Sequence, residues 1–111
     1  KVGIIAYGTP SRIALATMDL AKAKGMKVGL IRLKTLWPFP YREILDATKN
    51  MESVLVAELS MGQLVQDVKS VLNNKVKVGF YGRAGGMIFT PEELLEAIIQ
   101  LKKEPEHDYY I

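Results

Sequence analysis

The sequence has no cysteine and a single histidine, His107. Without thiolates there is no disulfide framework, no cysteine nucleophile, and no thiolate-ligated zinc or iron–sulfur centre in this chain. One histidine in a polar C-terminal stretch leaves no multi-histidine metal site and no Ser/His/Asp triad. No apolar run approaches the roughly 18 to 20 residues that cross a bilayer. No secretory leader pattern is seen. A basic stripe is also missing: the net charge is +3, but the lysines are scattered near helix C-terminal ends and loops, where they suit the helix dipole. Nucleic acid and membrane are therefore not expected partners, and a cytoplasmic protein is expected. The chain opens at Lys1 rather than methionine. A lost methionine, a processed terminus and a cut from a longer chain would all look like this.

The 111 residues are 49% apolar and 24% charged, which reads as one folded domain. Apolar runs alternate with amphipathic stretches four times. Strands are expected at 2–7 (VGIIAY), 27–31 (KVGLI), 53–57 (SVLVA) and 76–81 (VKVGFY). Between the first two lies a helix with Thr9 as N-cap, Pro10 as first helical residue and Gly25 as terminator. Its apolar face is drawn from Ile13, Leu15, Ala16, Leu20 and Ala23. A short helix follows over 41–49. A third runs from about Gly62 to Leu72, with Ser60 and Gln63 at capping-box spacing. The last begins with Thr90 as N-cap, Pro91 in the first turn and Glu93 as the capping-box acid. The result is an α/β three-layer sandwich with a mainly parallel sheet over 1–103, followed by an extended or poorly ordered polar tail over 104–111. Crossovers are expected to be right-handed. If the strands are parallel, the segments after Tyr7, Ile31, Ala57 and Tyr81 share one sheet edge, the usual ligand edge of open α/β folds.

Three loops on that edge carry the polar residues. YGTPSR (7–12) is a small-residue turn entering a helix. It reads either as a well-capped helix start or as an anion site, but it is neither a dinucleotide fingerprint nor a P-loop. AELSMGQ (57–63) puts Glu58 at the end of a buried strand, where a carboxylate needs a partner or water. Arg32 is the natural partner, and the pair reads as a loop lock, an interface contact or a substrate contact. Gly62 beside it suits a close backbone approach. FYGRAGGMIF (80–89) sets Arg83 next to Gly85 and Gly86. An arginine in a glycine loop suits phosphate, a carboxylate or a salt bridge to a neighbouring subunit. The stretch RLKTLWPFP (32–40) places the only tryptophan, Trp37, and Phe39 among prolines directly after a strand. These rings either cap the domain's own core or meet a partner.

AYGTPSRIA (6–14), KVGLIRLKTLWPFP (27–40), VLVAELSMGQLVQDV (54–68) and VGFYGRAGGMIFTPEEL (78–94) together resemble one family. It is the C-terminal, transketolase-like domain of the alpha subunit of 2-oxoacid:ferredoxin oxidoreductases. Arg32, Thr35, Leu36, Trp37, Pro38, Phe39 and Pro40 fit the family pattern Arg-Pro-Ile-Thr-Leu-Trp-Pro-Phe-Pro. Leu33 and Lys34 replace its Pro and Ile, and Phe89 stands where Pro is common. These departures are expected to touch loop stiffness and surface. The resemblance implies a complex that oxidatively decarboxylates a 2-oxoacid to an acyl-CoA. It would use thiamine diphosphate, magnesium, iron–sulfur clusters and coenzyme A, with ferredoxin as electron acceptor. It implies as partners the remainder of the alpha subunit and the beta subunit. No cofactor is expected within this chain, and no residue of it is catalytic. The similarity leans to the 2-oxoglutarate or branched-chain groups. Arg32, Thr35, Trp37, Phe39, Glu58, Gly62, Gln63, Arg83, Gly85 and Gly86 are then candidates for interface contacts or loop locking. Two other readings stand beside it: a stand-alone phosphate- or nucleotide-binding α/β module, and the same domain in another thiamine enzyme.

The Trp37→Ala substitution separates the two readings of the proline-rich loop. An interface anchor predicts weakened subunit association, by about 2 kcal/mol or more, with the domain's own unfolding transition retained. Intact association with a lowered transition would make both rings part of the core. Analytical ultracentrifugation and denaturant unfolding of the same variant decide it.

Overall fold

The computed structural model describes residues 2–34, 40–58, 63–72, 75–82, 89–103 and 108–110. In chain order these form β1 (Val2–Tyr7), α1 (Thr9–Ala23), β2 (Val28–Leu33), α2 (Tyr41–Thr48), β3 (Ser53–Glu58), α3 (Gln63–Leu72), β4 (Lys77–Gly82), α4 (Pro91–Lys103) and β5 (Asp108–Tyr110). The strands form one sheet in the order β2-β1-β3-β4-β5, and every pair is parallel. This is the expected three-layer α/β sandwich.

Strand register sorts the core into two halves. Val2, Ile4 and Ala6 face the same side as Leu55, Ala57 and Tyr81, against α1 and α4. Ile5 faces the other side with Val54, Val56, Val78 and Phe80, against Ile44 of α2 and four apolar residues of α3. All six residues of β3 are buried. A strand covered on both faces needs apolar residues at successive positions, which is why 53–57 reads as a continuous apolar run.

Three expectations are corrected by packing. The buried stripe of α1 is Ala14, Thr17 and Ala21, with Ile13, Met18 and Leu20 partly buried, whereas Leu15 is 48% exposed. Small residues let α1 approach α4, and the buried Thr17 hydroxyl donates to the carbonyls of Ile13 (2.9 Å) and Pro91 (3.3 Å). A threonine on an otherwise apolar face is thus satisfied within the helix and across to its neighbour. Secondly, Leu33 and Phe89 are core residues, at 6% and 1% exposure, and not surface departures. Leu33 extends β2 beyond Ile31, and the Phe89 ring meets Tyr81 edge-on at 5.4 Å.

The third correction concerns connection hand. The connections through α1, α2 and α3 share one hand, since leftward travel uses one face and rightward travel the other. From β4 to β5 the chain again moves rightward, but α4 lies on the face of α1. The last crossover therefore has the opposite hand to the other three, so the four cannot all follow the right-handed rule. Coverage explains it. α3 already covers one face of β3 and β4, and without α4 the other face would expose Leu55, Ala57 and Tyr81. Within the expected tail, residues 108–110 are extended and add a fifth strand, which the fourfold alternation did not include.

Gly82, at the end of β4, lies under the ring of Phe80, and a β-carbon there would overlap that ring. Phe80 is fully buried, so the ring has no room to yield. Gly82→Ala is expected to lower stability by about 1–3 kcal/mol, read from denaturant unfolding. A change within about 0.5 kcal/mol would mean that the Phe80 ring repacks freely.

Candidate functional site

Parallel strands bring the ends of β1, β2, β3 and β4 to one sheet edge. In register terms Tyr7 lies beside Leu33, Ala6 beside both Arg32 and Ala57, and Glu58 beside Gly82. Strand order reverses between β1 and β3, since the chain leaves β1 toward β2 and returns on the other side. The crevice at that reversal is where open α/β sheets hold ligands. Gly8 and Glu58 flank it.

Gly8, and not Thr9, is the N-cap of α1. Its backbone sits at φ 75°, ψ −141°, a region nearly closed to residues with a β-carbon, and this lets the chain turn from strand into helix within one residue. Both the Ser11 amide (2.9 Å) and the Ser11 hydroxyl (2.6 Å) donate to the Gly8 carbonyl. Pro10 has no N–H to offer. The turn therefore lacks the run of free donors that cradles a phosphate, and its geometry supports a tight helix start at Gly8 without a side-chain cap.

Glu58 is 7% exposed, and its Oε2 accepts the Leu64 amide at 2.9 Å. The carboxylate thus caps the N-terminus of α3 from the end of the preceding strand, where a negative charge also suits the helix dipole. Arg32 does not meet it. Arg32 is in register with Ala6 and Ala57, so Glu58, one residue further along, faces the opposite side of the sheet. β1 also lies between them. The expected lock is therefore made by a backbone amide and not by an arginine.

Arg32 and Lys34 are exposed, and with Tyr7, Gly8 and Leu33 they line an open cleft of about 470 Å³ at the end of β2. Among the described residues no carboxylate lines it. On the far side of the sheet edge, Glu93 gathers three contacts. Its Oε1 accepts the Thr90 amide (2.8 Å), its own amide donates to Thr90 Oγ1 (3.1 Å), and its Oε2 accepts the Tyr81 hydroxyl (3.1 Å). The capping box was legible from Thr90 and Glu93. The link to Tyr81 was not, although a buried tyrosine at a strand end signals that its hydroxyl needs a partner.

Thr35, Trp37, Phe39, Ser60, Gly62, Arg83, Gly85 and Gly86 lie outside the described residues, and Gln63 is placed as the first residue of α3. Among the described residues no cluster of histidine, aspartate or glutamate could hold a metal ion. No helix among them is long and apolar enough to cross a membrane.

The chain matches the family model described as pyruvate:ferredoxin oxidoreductase core domain II over residues 1–94. It is 34% identical to the 2-oxoglutarate synthase subunit KorA of Methanothermobacter marburgensis, over 91% of this chain and 27% of that subunit. It is 33% identical to the ketoisovalerate oxidoreductase subunit VorB of the same organism, over 94% of this chain and 29% of that subunit. With the pyruvate synthase subunit PorA of Methanothermobacter thermautotrophicus the identity is 28%, over 96% and 29%. The chain thus spans between a quarter and a third of the length of these relatives. Among solved structures, a 2-oxoglutarate:ferredoxin oxidoreductase from Magnetococcus marinus, with 2-oxoglutarate, coenzyme A and succinyl-CoA bound, superimposes with a TM-score of 0.74. That match covers 90% of this chain and 17% of the other at 24% identity, and it supports the fold.

Glu58→Ala is expected to lower stability by about 2–3 kcal/mol, since it leaves the buried Leu64 amide without its carboxylate acceptor. Glu58→Gln keeps an oxygen in place and should recover at least half of that loss. Equal losses in the two variants, measured by denaturant unfolding, would show that the cap on α3 is not what Glu58 contributes.

Proposed function

Because the chain belongs to the pyruvate:ferredoxin oxidoreductase core domain II family, we propose that it serves as one domain of a larger 2-oxoacid:ferredoxin oxidoreductase alpha subunit. In this reading it contributes assembly and positioning to the oxidative decarboxylation of a 2-oxoacid to an acyl-CoA, with ferredoxin as electron acceptor. The observation that carries the reading is the near full-length match of this chain to about a quarter of several such subunits. Its partners are then the remainder of that subunit and a beta subunit, in the cytoplasm. Identity is higher to the 2-oxoglutarate and ketoisovalerate subunits, at 34% and 33%, than to the pyruvate subunit, at 28%. A 2-oxoglutarate or branched-chain substrate follows as the preferred expectation.

The reaction draws on thiamine diphosphate for a carbanion sink and on iron–sulfur clusters for electron transfer. In this reading those groups are held by other parts of the complex. This chain has no cysteine to ligate a cluster, and among the described residues there is no acidic or histidine cluster for a metal. No catalytic step is assigned to it. Its contribution is geometric: the strand ends fix where the loops start, and Glu58 ties β3 to α3 across one of them. Arg32, Thr35, Trp37, Phe39, Gly62, Gln63, Arg83, Gly85 and Gly86 are proposed to make contacts or permit close approach around that edge.

Native mass analysis of the protein from its own cells, with assays for thiamine and iron, tests this reading. A large assembly carrying both, and reducing ferredoxin when given 2-oxoglutarate or a branched-chain 2-oxoacid, is expected. A free 12.4 kDa chain with neither would overturn it.

A further inference from the structure

Where other clefts open on this surface, cations and carboxylates occur together. The groove at the start of β2 sets Lys22 and Lys27 beside Asp19. The groove between α1 and α4 sets Lys24 beside Glu92 and Glu96. The cleft at the end of β2 differs. Its described lining residues are Tyr7, Gly8, Arg32, Leu33 and Lys34, two cations and no carboxylate. Arg32 and Lys34 are both exposed, and among the described residues neither has a hydrogen-bond or ion-pair partner.

A cleft lined by one sign of charge concentrates counter-ions of the other sign. The neighbouring first turn of α1 has no acidic residue, so nothing there cancels the field. The cleft is bare at Gly8, where a β-carbon would meet none of the described residues within 4 Å. Its volume is about 470 Å³, in the range of small-molecule sites. Two cations match a dianion. Arginine offers a planar fork of donors, and lysine three donors on a flexible stem. A flat carboxylate is satisfied by one arginine, whereas the oxygens of a tetrahedral phosphoryl group point several ways and use both cations. Tyr7, 43% exposed, brings a hydroxyl to the same cleft. The Gly8 turn lacks a run of free amides, so the side chains carry the contact.

We infer that the cleft at the end of β2 binds a phosphoryl dianion through Arg32 and Lys34. The dianion is either inorganic phosphate or the phosphate of a small phosphomonoester. This site is additional to the assembly and positioning role above and does not depend on it.

The test keeps the protein in the assembly in which it is isolated. Phenylglyoxal modifies accessible arginines, and its reaction at each one is followed by peptide mass spectrometry. Inorganic phosphate and adenosine monophosphate are the probes, against chloride at equal ionic strength. Arg32 is expected to react in chloride and to react about fivefold or more slowly in millimolar phosphate, while the exposed Arg42 of α2 is unaffected. Lys34→Gln should raise the half-protecting concentration about tenfold. Lys49→Gln, which removes the partner of Asp46, should leave it unchanged. Stronger protection by the nucleotide supports a phosphomonoester as the ligand, and equal protection supports the free anion. Equal slowing at Arg42 would overturn the inference, as would protection that Lys34→Gln leaves intact. So would an Arg32 that is unreactive in chloride, because other chains would then cover the cleft. No readout involves activity, thiamine or iron, so failure of the oxidoreductase reading appears in the ferredoxin assay and failure of the anion site appears here.

Discussion

β3 is buried on both faces along its whole length, and the arrangement of the domain follows from that coverage. A parallel strand in this position must have helices above and below it. α1 and α4 supply one layer, α2 and α3 the other. The requirement is strong enough to set the path of the last connection. With α3 already on one face, α4 lies on the other, and this connection differs in hand from the three before it. Handedness is a preference of strand twist, whereas an uncovered Tyr81 and Leu55 would cost apolar burial of about 1.5–3 kcal/mol for each side chain.

The same coverage forces polar groups to the strand ends, and there the domain spends them on its own joints. Glu58 accepts the amide of Leu64 and so fixes the start of α3 relative to β3. Glu93 closes a capping box with Thr90 while holding the Tyr81 hydroxyl, which fixes α4 relative to β4. At the opposite end of α4, Lys77 donates to the Leu101 carbonyl at 2.8 Å, a cation at a helix C-terminus. β4 is thus tied to both ends of α4.

Much of this was legible because it is local. Alternating apolar runs and amphipathic stretches gave the elements, and Thr90, Pro91 and Glu93 gave a helix start with both reciprocal bonds. What failed depended on distant partners. Thr9 looked like a cap, yet Gly8 caps the helix because the turn needs positive φ. Leu15 looked like core, yet α1 presents its small residues to α4. Arg32 and Glu58 looked like a pair because both end strands. Register then decides the face, and a one-residue offset sends them to opposite sides. The five residues from Thr35 to Phe39 lie outside the described residues, so the question posed by Trp37 and Phe39 rests on sequence alone.

A carboxylate at the switch point of an open α/β sheet is ordinarily a first suspect for chemistry. At this edge Glu58 Oε2 accepts the Leu64 amide in a setting that is 7% exposed, so that oxygen holds the start of α3. The opposite edge is different in kind. Arg32 and Lys34 are exposed beside an apolar strand end, and their charges do not take part in the internal joints described above. The buried carboxylate of this domain is thus used inward, while the two cations at the end of β2 face outward.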